Sequence, residues 1–362
     1  MKYLGDSLVG LFVEEEADRI TISGTGDPTF LHQDFAAHPV FDFLKARASV
    51  GKEITIRQRF WQDEALGNGW SWNDFASDYM AERSDFPIFG NLVIFSGPST
   101  DVRIIPKTFH SSVQVATETK GFVTRVERSR LSNDFILYGA GSINRRIGIP
   151  FITTDSLVSL ILRDTLHLTR PFSTKDVRNS NLPLRASNVY YIKTHPTDSL
   201  LKPMMHRSDN FFAEQALLMV SNEMLGVMND ARIIDTILKT DFKDLPQRPR
   251  WADGSGLSRY NLFTPQDFVS ILNKMRIEFG MDRIKNIFPT GNEGTLRNYY
   301  VHDTTFIYAK TGTLSGVVAL SGFLYTQKNK LLIFSTLVNN HQSTSTQVRR
   351  AVEKFIQQLR NY

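Results

Sequence analysis

The sequence predicts an α+β fold, with short strands dominating its first half and helices flanking an antiparallel hairpin in its second. Three observations lead there. The chain has 362 residues, enough for two or three cores. Between Phe89 and Ile147 apolar and polar residues alternate with period two, the spacing of half-buried strands. Beyond about residue 190 the pattern changes to long helical periodicities and then to paired apolar runs.

Taken in order, Arg19-Ile20-Thr21-Ile22-Ser23 reads as a strand entering a tight turn at Gly24-Thr25-Gly26-Asp27-Pro28. Gly67 to Asp74 reads as a loop whose Trp70 and Trp72 lie over a neighbouring core. Val93-Ile94-Phe95, Val102 to Ile105, Val113 to Val115 and Phe135 to Tyr138 read as strands of a small β-rich unit. A helix is expected from about Thr154, capped by Thr153 or Thr154, with Leu157, Leu160, Ile161 and Leu168 on one face. Another covers Phe211 to Met228 after the break Ser208-Asp209-Asn210, with Asn210 able to cap it. Gly316 to Tyr325 and Lys330 to Val338 form a hairpin around Thr326 to Asn329. The last helix, Ser345 to Leu359, puts Val348, Val352, Phe355, Ile356 and Leu359 on its packing face.

Composition excludes several classes of function. Hydrophobic residues make up 41% and charged residues 22%, an ordinary globular balance. The net charge of +5 is spread along the chain with no Lys/Arg block, which speaks against nucleic acid as a partner. With zero cysteines there is no disulfide, thiol nucleophile or Cys-ligated zinc. His110, His167, His195, His206 and His302 lack metal-ligand spacing, so neither a metal nor a cofactor is expected. Asp253 and Glu293 read as turn caps, and Glu14-Glu15-Glu16 as a solvated edge. No stretch reaches the roughly 18 apolar residues of a transmembrane segment, and Met1 to Asp18 is not built as a signal peptide.

Two short motifs carry chemistry. Ser208-Asp209-Asn210 precedes a helix, and Lys310-Thr311-Gly312-Thr313 opens a strand 102 positions later. A serine hydroxyl can relay a proton, an asparagine amide can hold a substrate amide, and a lysine with threonine hydroxyls can bind a terminal carboxylate. Gly312 lets a substrate backbone approach the strand.

Six segments in this order, Gly24 to Thr29, Gly69 to Asp74, Arg207 to Asn210, Asp253-Gly254-Ser255-Gly256-Leu257-Ser258-Arg259, Gly294-Thr295-Leu296 and Ala309 to Thr313, carry a resemblance to a known family. The chain resembles the D-alanyl-D-alanine carboxypeptidase/endopeptidase family of class C low-molecular-mass penicillin-binding proteins, which are serine peptidases with inserted domains. The resemblance implies a penicillin-recognising, β-lactamase/transpeptidase-like domain, an antiparallel sheet flanked by helices, over residues 190–362. Inserted regions are then expected over 1–88 and 149–189, with a β-rich domain nested at 89–148. It also implies Ser208, Asn210 and Lys310 as catalytic residues and Thr311, Gly312 and Thr313 as substrate-binding ones. The backbone N–H of Thr313 would be one of two oxyanion donors. Peptidoglycan stem peptides ending in D-Ala-D-Ala and β-lactams are the implied ligands, in a periplasmic or other extracytoplasmic location.

One element departs from the family pattern. Members begin with a Ser-x-x-Lys helix supplying the nucleophile and its base, several tens of residues before the Gly-Asp-Pro-Thr turn. Here that turn starts at Gly24. The two matches, Ser49 to Lys52 and Ser199 to Lys202, both follow it. Gly51 suits a helix poorly, and Pro203 resists helix continuation. The expectation is a chain without its nucleophile segment and inactive as given, the alternative being a catalytically dead module that binds peptidoglycan or a partner. A further expectation is an apolar groove beside Ser208 and Lys310, where the missing helix would pack.

Overall fold

A computed structural model describes all residues except 99–100, 117–123, 140–142, 170–171, 176–187 and 362. The first strands are β1 (Ser7–Glu15), β2 (Arg19–Gly24) and, after helix α1 (Pro39–Ser49), β3 (Glu53–Arg57). The segment 92–150 contributes β4 (Leu92–Gly97), β5 (Arg103–Ile105), β6 (Val113–Val115), β7 (Arg125–Arg128), β8 (Phe135–Tyr138) and β9 (Ile143–Pro150). Helix α2 (Asp155–Leu166), β10 (Ser173–Lys175) and β11 (Asn188–Pro196) follow. The remainder is α3 (Thr197–Arg207), α4 (Asn210–Leu225), α5 (Asp230–Lys239), α6 (Pro265–Ile287), β12 (Ile307–Leu314), β13 (Val317–Tyr325), β14 (Leu331–Asn339) and α7 (Ser345–Arg360).

These strands make four sheets, ordered β10-β3-β2-β1-β11, β5-β4-β9, β6-β8-β7 and β12-β13-β14. The first gathers residues from both ends of the first half: β11 pairs antiparallel with β1, from Ser7 against Pro196 to Glu15 against Asn188. The expected junction at 189/190 therefore falls inside a strand. Buried side chains of β1 to β3 and of 92–150, among them Val13, Ile22, Phe95, Phe109 and Phe135, form one contiguous apolar cluster. A second cluster joins Leu4, Leu8 and Ala81 to Leu200, Phe211 and Phe212, so the two halves also share a core.

Helix boundaries follow local chemistry. Thr154 caps α2 by accepting from the Leu157 N–H, and the buried face is Val158, Ile161 and Leu162. Leu160, expected on that face, is only half-buried, because the burying surface is centred one position away. Asp209, and not Asn210, caps α4: its carboxylate accepts from the Phe212 N–H at 3.1 Å. Pro203 sits inside α3 without ending it. It removes one hydrogen bond, while the buried Leu200 and Leu201 hold the helix in place. In α7 Ile356 is buried but Phe355 is half exposed.

Two more expectations change. Glu14 is 7% exposed and faces Arg57 and Arg59 at 3.4 and 3.6 Å, and Glu15 pairs with Lys52 at 2.6 Å, so of the acidic run only Glu16, just past β1, is a solvated edge. Trp72 is 67% exposed, with the Arg130 guanidinium over its ring, and covers no core. Among the described residues no helix is long and apolar enough to cross a membrane.

Candidate active site

The site forms where α3 turns into α4 opposite the first strand of the sheet β12-β13-β14. α3 ends at Arg207, and the next residue, Ser208, takes the left-handed conformation (φ 58°, ψ 52°). That conformation is costly for a residue with a side chain. It lets the Asp209 N–H return to the Met204 carbonyl at 3.0 Å and turns the chain sharply into α4. Buried Phe211 and Phe212 anchor the new helix. Asn210 is its first residue, and its side-chain amide donates to the Tyr79 carbonyl at 2.9 Å.

Across the gap stands β12, an edge strand. Its outer side is closed early by the Ala309 N–H, which donates to the Pro289 carbonyl at 3.1 Å, and by a bridge between Thr290 and Tyr308. From Lys310 to Leu314 the only strand paired with it among the described residues is β13. The Lys310 ammonium donates to Ser208 Oγ at 2.6 Å and to the Thr311 carbonyl at 2.7 Å. Burial, with the nearby Arg349 charge second, lowers its pKa to about 8. Thr313 Oγ1 accepts from Arg349 Nη2 at 2.6 Å. A Cβ on Gly312 would meet only the Ala319 Cβ, at 3.4 Å, so packing within the protein does not demand glycine there.

The third wall is the loop after α5. Asp253 is buried and accepts four hydrogen bonds, from the Gly256 and Ser258 N–H groups, the Asn261 amide and the Trp70 indole, at 2.8, 2.6, 2.7 and 3.0 Å. It does more than cap a turn, since it ties the loop from the first half to this one. Gly254 is required: its Cβ would lie 2.7 Å from the Ala213 carbonyl oxygen. Glu293 is exposed at the start of the short turn that carries Thr295. The five histidines singled out by sequence lie on separate elements. His206 lies in the last turn of α3, where burial lowers its pKa, and the His195 ring packs tilted against Phe35.

The resulting cleft encloses 730 Å³ and is lined by Ser208, Asn210, Thr311, Thr313, Trp70, Arg259 and Arg349. Five of the six expected site residues thus meet at one place: Lys310 through its bond to Ser208, and Asn210, Thr311 and Thr313 on the walls. Gly312 lies between Thr311 and Thr313 on the same open strand. Behind Ser208 and Lys310 runs an apolar pocket of 470 Å³ lined by Met204, Phe242, Trp251, Phe263 and Phe268. It shares Met204, Ala213, Phe242, Trp251 and Ile271 with a second apolar cavity of 580 Å³ reaching Leu4 and Met275. The groove expected beside the two residues is present.

Neither Ser-x-x-Lys match enters the cleft. Ser49 is the last residue of α1, donates to the Ala46 carbonyl, and its Lys52 pairs with Glu15 at 2.6 Å. Ser199 lies in the first turn of α3, roughly 13 Å along the helix from Ser208. Arg349, on the last helix, is a cleft residue that sequence reasoning missed, because a surface arginine in an amphipathic helix carries no local signal.

Comparison with known proteins bears on the fold and the family. The D-alanyl-D-alanine carboxypeptidase DacB of Haemophilus influenzae is 26% identical over 365 residues, covering 93% of this chain and 75% of its own. The crystal structure of penicillin binding protein 4 (dacB) from the same organism superposes with a TM-score of 0.74 at 20% identity, covering 99% of this chain and 88% of that one. Its complex with a novel β-lactam gives 0.67 at 18% identity, covering 100% and 88%. These structures share the fold, a mixed α+β architecture with additional small sheets. The D-Ala-D-Ala carboxypeptidase 3 (S13) family matches residues 12–360, nearly the whole length, and the chain belongs to it.

Proposed function

We propose that residues 1–362 form the substrate-recognition part of a serine-type D-Ala-D-Ala carboxypeptidase/endopeptidase acting on peptidoglycan stem peptides outside the cytoplasm. The observation that carries this reading is the Lys310–Ser208 hydrogen bond, which spans the cleft beside the open edge of β12. An edge strand offers alternating N–H and C=O groups to an extended peptide. Asn210 and the threonine hydroxyls stand within reach of such a peptide's amide and carboxylate. In this reading residues 190–362 are the recognition domain and the preceding ones are insertions that supply Trp70 and Tyr79 to its rim.

Acyl transfer requires a serine oxygen to attack the D-Ala carbonyl, with its proton taken by a base, and D-Ala to leave as the amine before water releases the peptide. A Ser-x-x-Lys helix seated in the apolar groove would bring both groups beside Ser208 and Lys310. Without it, one oxyanion donor is lost along with the nucleophile, and turnover falls by orders of magnitude.

Labelling with a fluorescent penicillin, read by denaturing electrophoresis and intact mass, tests this. Residues 1–362 alone are expected to give no covalent adduct. A peptide carrying a Ser-x-x-Lys helix is expected to raise the melting temperature and to introduce labelling on that peptide. A stoichiometric adduct on Ser49, Ser199 or Ser208 of the chain itself would overturn the assignment. Tight stem-peptide binding with no response to the helix would favour a dedicated binding protein.

A further inference from the structure

The outer face of the sheet β5-β4-β9 holds a pocket of 270 Å³ that shares no lining residue with the cleft. Val93 and Phe95 of β4 point into the core, so Leu92, Ile94 and Ser96 face the other way, and Leu92 and Ile94 with Ile105 of β5 make an apolar floor. Gly148 of β9 stands opposite Ile94 and leaves that floor uncovered; a Cβ there would meet the Leu92 and Ile94 methyls at 3.3 and 3.4 Å. Arg103 of β5 pairs with Ser96, and Arg146 of β9 precedes the partner of Phe95, so one guanidinium stands on each side of Ser96. Both arginines are exposed, and neither forms an ion pair with a carboxylate among the described residues. Arg146 donates to a neutral acceptor, Gln33 Oε1. No acidic side chain lines the pocket: Asp34 is taken up by Arg207 at 2.5 Å, and Asp78, beside Gly148, is not in the lining. Leu31 and Phe89, which wall it, both hold left-handed backbone (φ 53° and 55°). That conformation is an outlier for bulky residues, and such strain gathers at ligand-binding surfaces.

We infer that this pocket is a second binding site, for an anionic amphiphile with a carboxylate or phosphate head on a short alkyl body. The head sits at Ser96 between Arg103 and Arg146. Guanidinium groups stay charged at every physiological pH and bind either kind of oxyanion through paired N–H donors, to which the Ser96 hydroxyl adds one more. The alkyl body lies on Leu92, Ile94 and Ile105 and leaves water, each fully buried methylene adding up to about fourfold in affinity. Head and body are both needed, because the arginines alone are solvated and the floor alone is small.

Hexyl phosphate and hexanoate are titrated into the unmodified chain, with hexanol and ethyl phosphate as controls, by calorimetry and by the chemical shifts of isoleucine methyls. The two anionic amphiphiles are expected to bind about tenfold or more tightly than either control and to shift Ile94 and Ile105. R103Q/R146Q is expected to lose about tenfold or more of that affinity, the range of a charge-assisted hydrogen bond, while its melting temperature controls for folding. Phosphatidylcholine vesicles with and without phosphatidylglycerol separate the sources of the head. Co-sedimentation that requires both phosphatidylglycerol and the two arginines assigns it to a membrane lipid; binding of hexyl phosphate without co-sedimentation assigns it to a free acid. Absence of binding by both anions, equal binding of hexyl phosphate and hexanol, undiminished affinity in R103Q/R146Q, or shifts confined to the cleft would each overturn the inference. The peptidase reading stands in all four cases, since the pocket and the cleft are separate.

Discussion

At the residue scale, Lys310 and Asp85 hold protonation states that the fold has moved toward neutrality. With the Lys310 pKa lowered to about 8, its ammonium loses its proton within an accessible range. Binding of a carboxylate peptide is expected to weaken as pH rises through about 8, and a titration of affinity from pH 6 to 10 checks it. Asp85 is fully buried, and burial raises its carboxyl to about 7 from an ordinary 3.8. A raised carboxyl pKa contributes stability that is complete below the unfolded value and lost as pH climbs through the folded one. The shift corresponds to roughly 4 kcal/mol lost between about pH 4 and 7. Asp85→Asn is expected to flatten that slope, as measured by urea unfolding at several pH values. Such shifts are invisible in sequence: Asp85 follows Ser84 in an unremarkable polar run, and only packing removes its water.

At the scale of elements, the helix and strand periodicities were legible because each depends on neighbours three, four or two positions away. A threonine cap at the start of α2 and the hairpin of β13 and β14 follow from local chemistry, while the choice of Thr154 over Thr153 came from the fold. Asn210 and Asp209 are both good capping residues, and the choice between them was not local. The Tyr79 carbonyl engages the Asn210 amide, leaving Asp209 to cap. The Asp253 loop shows the same dependence on distant partners. Gly254→Ala would push a methyl to 2.7 Å from the Ala213 carbonyl, which belongs to the rigid helix α4. The expected cost is about 1–3 kcal/mol, read as a fall in melting temperature, with weakened peptide binding because the loop forms a cleft wall.

At the scale of the whole molecule, the halves are joined by one buried cation. Arg83 is 1% exposed and pairs with Asp63, Glu214 and Asp230 at 3.0, 3.3 and 2.7 Å. It also lies over the Trp70 ring. Glu214, raised to about 7 by burial and by Asp253, is held ionisable by this partner. Arg83→Ala would leave buried carboxylates without a counter-charge, at a cost of about 3–5 kcal/mol. Chemical denaturation measures that loss. An unchanged midpoint would show that the cluster does not couple the halves.

The sequence by itself determined the α+β class, most element positions and the identity of the Ser208, Asn210 and Lys310 to Thr313 motifs. Each is encoded by residues close together in the chain, whose periodicity, caps and chemical types can be read in place. Only the tertiary structure decided that β11 crosses the expected junction to pair with β1, that Glu14 is buried among arginines, and that Arg349 enters the cleft. Those outcomes depend on which surfaces exclude water together and which charges are left facing one another. No window of neighbouring residues contains that information, because the partners lie tens to hundreds of positions apart and meet only when the elements pack.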